Sequence, residues 1–564
     1  MTATDKHQRY YRGHRVILTM ALCFFVIGTL QAFLAPRKAK KRPVDNKVYL
    51  LHADELRYDM AGPNPDAQIA KGHVAFKHQG AFLSCDSAYF YQGSNSVKAF
   101  GHVRFRQGDT LSLTCTRAWY DGEGQMMEAR NNVVLKHRKQ TLYTDSLNYD
   151  RLYEYAYFFN GGKLVDGKSQ LSADWGEYHT ETRLAKFNYD VQLRTPKNQV
   201  STDTLYYDTR KSRAHVVGQY TSAKGHGKVG PSIIKGENGT ITTENAYFNT
   251  QNDQAEMFGR STVVNGPKTI TGDTLYYDSK SGNNRGLGNV VFVDNENKNT
   301  LTCGEVVYNE HTGMGFATKD ALVKDYSQKD TLFMHADTMR IETFNINTDS
   351  VYRKVHCYPH MRAFRLDVQA ICDSLVFNSQ DSCMTMYRDP IVWNGTRQLL
   401  GEVIKVYMND STVREAHVLG QALSVEAMPD SVHYNQVASH DMFAYFQDGV
   451  IRRSDAIGNV KSVYFPVDDK DTTLIGLNYM ETDTMRMYLT PERKLHHIWT
   501  NKVKATLYPM TQIPPMKLKL ESFAWFDALR PVDKDDVFHW RGKAKGTELK
   551  SIERHAAPLQ QLTL

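Results

Sequence analysis

Cysteine is scarce, with seven residues in a chain of 564, and no two stand in Cys-x-x-Cys spacing. That excludes a zinc ribbon or a thioredoxin-like redox centre. His-Glu-x-x-His, a Gly-rich phosphate loop and Gly-x-Ser-x-Gly are also missing, so the chain lacks common signatures of metalloproteases, nucleotide hydrolases and serine hydrolases. No catalytic residue, metal ligand or cofactor is expected. A strongly basic face is lacking too. The net charge is +7, and part of it lies in two short N-terminal clusters, which argues against a nucleic-acid partner. Proline is sparse, 17 residues against 32 tyrosines and 25 phenylalanines, a balance that favours strands.

The basic clusters are Lys6, Arg9, Arg12, Arg15 and Arg37, Lys38, Lys40, Lys41, Arg42. Between them residues 16–35 carry no charge, a stretch near the length of a membrane-crossing helix. It reads as an uncleaved N-terminal membrane anchor. A cleaved signal segment is the competing reading, with Leu30 bulky before a cut after Ala32. Either sends the remainder across a membrane.

What is present is a repeat of about 29 residues, returning about fourteen times between Leu51 and Pro509. Its clearest copies run from Thr202 to Asp208 and from Gly272 to Asp278, with Asp203-Thr-Leu-Tyr-Tyr-Asp208 matching Asp273-Thr-Leu-Tyr-Tyr-Asp278. Units of this size cannot bury an apolar face alone, so they stack. Two and four residues after the repeated acid come apolar or aromatic side chains, a spacing that sets one face of a strand. Among them are Leu56, Tyr58, Phe90, Tyr120, Leu147, Tyr149, Tyr178, Leu205 and Tyr207. The series continues with Phe248, Leu275, Tyr277, Val306, Tyr308, Met339, Ile341, Leu375 and Phe377. About 18 residues after the acid, Gly or Asn precedes a short apolar run, as in Gly72-His73-Val74 and Gly288-Asn289-Val290, and reads as a bend between strands. Three short strands per period are expected, and an all-β chain.

The acid recurs in unit after unit, whereas a glycosidase needs one special carboxylate pair; it reads as a partner for local backbone or neighbouring rungs. Cys85, Cys115, Cys303 and Cys372 precede the acid or its equivalent, where Ala and Thr stand in other copies. They read as small core fillers. A disulfide between adjacent units, as between Cys85 and Cys115, is the alternative. His73, His102 and His137 read as surface residues. The expected organisation is a basic segment at 1–15, the anchor or signal at 16–35 and a basic linker at 36–47. The repeats then fill 48–509, with a cap or docking tail at 510–564. Insertions fall near 221–238, 426–438 and 466–476.

The copies Ala53-Asp54-Glu55-Leu56-Arg57-Tyr58-Asp59 with Gly72-His73-Val74, and Thr202 to Asp208, resemble the OstA/LptA family of lipopolysaccharide-transport proteins. The resemblance spans most of 51–509. It implies a folded-over antiparallel β-jellyroll, solenoid-like in its repetition, whose apolar interior holds acyl chains; the ladder residues above are its lipid-groove candidates. It further implies a periplasmic bridge that carries lipopolysaccharide from inner to outer membrane for outer-membrane assembly. Strand edges at its ends would pair with inner-membrane transport components and an outer-membrane translocon. The protein would be periplasmic, anchored by residues 16–35, or soluble there after cleavage. The same ladder closed into a solid core would instead give a non-catalytic exported scaffold or adhesion protein.

Overall fold

The computed structural model describes residues 46–218, 230–236, 239–252, 254–409, 412–468 and 473–543. The expected anchor or signal, the end of the tail and most of the 221–238 insertion lie outside the described residues. Among the described residues no helix is long and apolar enough to cross a membrane.

The chain is all-β, and its strands pair antiparallel throughout. It falls into two compact units, one made of residues up to 160 with 177–182, the other of 161–176 with 183 onward. In the first unit, consecutive strands such as Gln68–His78, Ala81–Tyr91, Ser96–Gln107 and Leu111–Asp121 form a meander of strands 11 or 12 residues long. One repeat is therefore two long strands, not three short ones. Each repeat adds ~9.6 Å along the stacking direction, two strand spacings rather than one.

The Gly and Asn signatures lie inside strands and not between them. Gly72 and His73 take φ of 71° and 42°, and Gly101 and His102 take 73° and 41°. Asn131-Asn132, Tyr189-Asp190, Gly288-Asn289, Arg388-Asp389 and Gly458-Asn459 repeat the pattern. Opposite each pair the partner strand is one residue shorter: Lys71 faces Ser87 and Val74 faces Cys85. This is a β-bulge, and it bends the strand. The two halves of each strand then face one another. Phe76, opposite Leu83 on one side of the corner, meets Phe90, opposite Gln68 on the other, with ring centroids 5.4 Å apart. The sheet is folded over, as expected.

The repeated acid explains the corner glycine. A Cβ on Gly72 would lie 2.2 Å from Asp54 Oδ2, and one on Gly101 2.3 Å from Asp86 Oδ2. The same carboxylates bind the next corner residue: His73 Nδ1 lies 2.7 Å from Asp54, His102 Nδ1 2.7 Å from Asp86, and Asn289 Nδ2 donates to Asp273 at 2.8 Å. The hydrogen bond to His73 holds the Asp54 carboxyl below its usual range. Gly101→Ala must adopt a left-handed φ and displace Asp86, so it is expected to destabilise the first unit by ~1–3 kcal/mol in urea denaturation.

Candidate lipid-binding trough

In each unit alternate residues point to that unit's interior, and the two interiors are filled differently. In the first unit large rings fill it. Phe76, Phe90, Phe105, Tyr120, Leu147, Tyr149 and Tyr178 are all buried, Tyr149 to 1% exposure. Facing ring pairs such as Phe105–Tyr149, at 6.2 Å, span the interior. A cavity bounded by Val48, Phe76, Leu83 and Tyr120 has a volume of ≈ 10 Å³, too small for more than about one water. Leu205, Tyr207 and Phe248, in the second unit, are buried in the same way.

The first unit is also closed along its rim. The Tyr120 hydroxyl lies 2.6 Å from His78 Nδ1 and accepts from Arg151 at 2.5 Å. Arg151 Nε and the Tyr149 hydroxyl both donate to Gln107 Oε1 at 3.2 Å. Gln125 Nε2 donates to Gln79 Oε1 at 3.0 Å, and His137 Nδ1 lies 2.9 Å from the Tyr178 hydroxyl. His137 is therefore a buried seam residue and not a surface one, while His73 and His102 are exposed. Burial pushes the Tyr149 and Tyr207 phenols up to about 12. Because the folded state holds these protons more tightly, the stabilisation is complete below pH 10.0, the unshifted value, and drains away as pH rises through 10 toward 12. An alkaline titration followed by circular dichroism should show the loss beginning near pH 10.

Beyond residue 260 the rings thin out. The interior row running Leu275, Gly286, Val306, Ala317, Met339, Cys357, Leu375, Met386, Ile404 and Val418 is in register across successive strands. Beside it runs a row holding Tyr277, Tyr308, Gly315, Ile341, Val355, Phe377, Met384, Val406 and Ala416, all half-buried except the buried Gly315. Across the fold stand Ile270, Phe292, Leu301, Val323 and Met334, also half-buried. Small Ala, Gly and Cys with flexible Met line this stretch, and side chains of that kind leave room and adapt to irregular occupants. The result is an apolar trough, partly uncovered, in the second unit.

Of the expected groove residues, Tyr277, Val306, Tyr308, Ile341 and Phe377 line this open stretch, and Leu275, Met339 and Leu375 form its floor. Leu56 and Tyr58, on the strand Glu55–Tyr58 at the start of the array, are exposed at 54% and 59%. The row containing Ile270, Leu301 and Met334 was not among the expected groove residues, although the Thr269-Ile270 run preceding Asp273 marks it as strand. Some cationic side chains lie against aromatic rings: Lys98 sits over Trp119 at 5.2 Å and Arg213 over Tyr247 at 4.7 Å.

The six described cysteines are free and buried. Cys85 and Cys115 stand two strands apart, ~9.6 Å, out of disulfide range. Burial pushes the thiols of Cys85, Cys115 and Cys303 up to about 11, so alkylation by iodoacetamide at neutral pH should wait for unfolding. Among the described residues no group of three or more His, Cys, Asp or Glu could hold a metal ion.

A folded-over antiparallel sheet is the arrangement that the sequence resemblance implied, and here it carries in several repeats an acid beside a Gly-His or Gly-Asn corner. Residues 45–203 match the family model of the OstA-like protein. No curated protein matches the chain. The OstA-like match covers the ring-filled repeats, and the same corner chemistry continues past it to Gly288-Asn289 and Gly458-Asn459. Over residues 45–203 the β-structure is thus of the OstA-like type.

Proposed function

We propose that this OstA-like protein is a periplasmic bridge that holds lipopolysaccharide acyl chains in the trough of its second unit and passes lipid between the inner and outer membranes. One observation carries the reading: from Leu275 onward a buried floor that includes Ala317, Met339, Cys357 and Met386 is flanked by apolar rows, Tyr277 to Ala416 and Ile270 to Met334, whose side chains stay half-buried. A solid core has no reason to leave fourteen apolar side chains partly uncovered around one cluster. Each buried methylene contributes ~0.8 kcal/mol, so a few acyl carbons seated there outweigh the cost of an exposed trough. Among the described residues Leu495–Asn501 pairs along one edge only, and its other edge offers a pairing site for a membrane component. Residues 16–35 supply the export signal or the anchor.

The ring-filled first unit favours the second reading, a scaffold with a solid core, for that unit alone. Lipid analysis of the purified full chain separates the two. The bridge predicts stoichiometric lipopolysaccharide or a related acylated lipid, and the scaffold predicts none.

A further inference from the structure

The described part of the tail, residues 510–543, packs against the outer face of the second unit. Alternate residues on the underlying strands separate the two faces: Cys372 and Leu399 join the trough cluster, while Ile371 and Leu400 join an outer cluster with Trp393 and Leu423. Phe523, Trp525 and Phe526 of the tail cover that outer cluster. Two glutamines bond the tail as a neighbouring strand would. Gln436 donates to Leu518 O at 2.9 Å and accepts from Leu520 N at 2.8 Å. Gln398 does the same with Ala524 O at 2.9 Å and Phe526 N at 2.8 Å. Both amides are almost fully buried. These fasteners carry no charge.

The distal end is held differently. Phe538 packs on the buried His335 ring at 4.7 Å, and Trp540 on His360 at 4.8 Å. Buried Arg362 donates from Nε to Val537 O and lies under the Trp540 ring at 5.6 Å. Its NH1 is buried without a hydrogen-bond partner among the described residues. Asp536 accepts from the Val532 backbone at 3.0 Å and pairs with Arg541.

We propose that residues 532–541 are an acid-released latch, sprung when His335 takes a second proton under Phe538, while 518–530 stays docked on its glutamines. His335 Nδ1–H already donates to Ala321 O at 2.8 Å, so the added proton goes to Nε2. Asp337 faces that nitrogen at 3.8 Å and already pairs with His360 Nδ1 at 2.9 Å. Asp320 adds a weaker attraction; burial and the Arg362 charge oppose the proton and prevail, holding His335 below its usual value. Release takes Phe538 off the ring and returns the ring to water, which lifts part of the burial that opposes the proton, while Arg362 stays opposite it on the paired strand. Docking is therefore at full strength above 6.5, the unshifted value, and weakens as pH falls below it. The other charged groups at the latch are His360 beside Asp337 at 2.9 Å, His539 beside Asp536 at 3.8 Å, and Arg541 paired with Asp536.

Hydrogen exchange of the full chain at pH 7.5 and 5.0, corrected for intrinsic rates, tests this. Protection of 532–541 should fall at least tenfold at pH 5.0, with 518–526 unchanged. His335→Gln should abolish the response, and His360→Gln should retain it. Should His335→Gln not fold, NMR of the His335 ring in the unaltered chain should show it taking its proton over the same pH range in which protection of 532–541 falls. Unchanged protection, simultaneous loss along the whole tail, a full response in His335→Gln, or a ring that takes its proton outside that range overturns the proposal.

Discussion

Ala444→Trp is expected to strip the protein of bound lipid while leaving it folded. Ala444 points into the trough in register with Ala416, next to the Val406 position, and all three are half-buried. Ala444 is half-buried, so an indole there can lean toward solvent, unlike in a closed core, where added volume costs ~1–3 kcal/mol. If the trough holds lipid as proposed, the new ring takes the place of acyl carbons. Displacing two methylenes removes ~1.6 kcal/mol of binding, a little more than a tenfold loss, and an indole displaces more than two. Lipid measured by mass spectrometry per mole of purified chain should therefore fall by tenfold or more, with an unchanged circular dichroism spectrum. Tyr149→Phe, in the ring-filled unit, should leave the lipid content as it was.

Trp393→Ala is expected to bring the largest loss of stability in the second unit. Trp393 is fully buried on the outer face and donates from Nε1 to Gln398 Oε1 at 3.2 Å. That same oxygen accepts from Phe526 N. Removing the indole leaves a cavity among Ile371, Ile391, Leu400 and Val425, at a cost of ~3–5 kcal/mol. It also undercuts the platform on which Trp525 and Phe526 rest. Urea unfolding should show that cost, and limited proteolysis should cut between Leu518 and Arg530 in the variant before it cuts the repeats.

Much of this architecture was legible in the sequence because the signals are periodic. An acid followed by apolar residues at spacings of two fixes which side of a strand faces inward, and copies such as Thr202–Asp208 repeat it closely. The corner glycines were visible as well, but their place was not. A positive φ suits a turn between strands and a bulge within one equally, and only the pairing of Lys71 with Ser87 and Val74 with Cys85 separates the two. Counting three strands instead of two followed from that ambiguity. The trough was the least legible part. Tyr149 and Tyr308 occupy the same repeat position, yet one is buried and the other half-buried. The difference comes from what stands across the fold: Phe105 meets the Tyr149 ring, whereas Met, Ala and Gly dominate the rows around Tyr308. Neighbours that far apart in sequence are not read from a local motif. His137 shows the same limit, since its partner Tyr178 is 41 residues away.

The decisive measurement is a photocrosslinking scan in cells along the inward ladder, one position at a time. Probes at Tyr308, Ile341 and Phe377 should capture lipopolysaccharide, and probes at Phe90, Tyr120 and Tyr149 should not. Equal capture at both sets, or none at the trough positions in folded protein, would contradict a lipid trough confined to the ring-poor repeats.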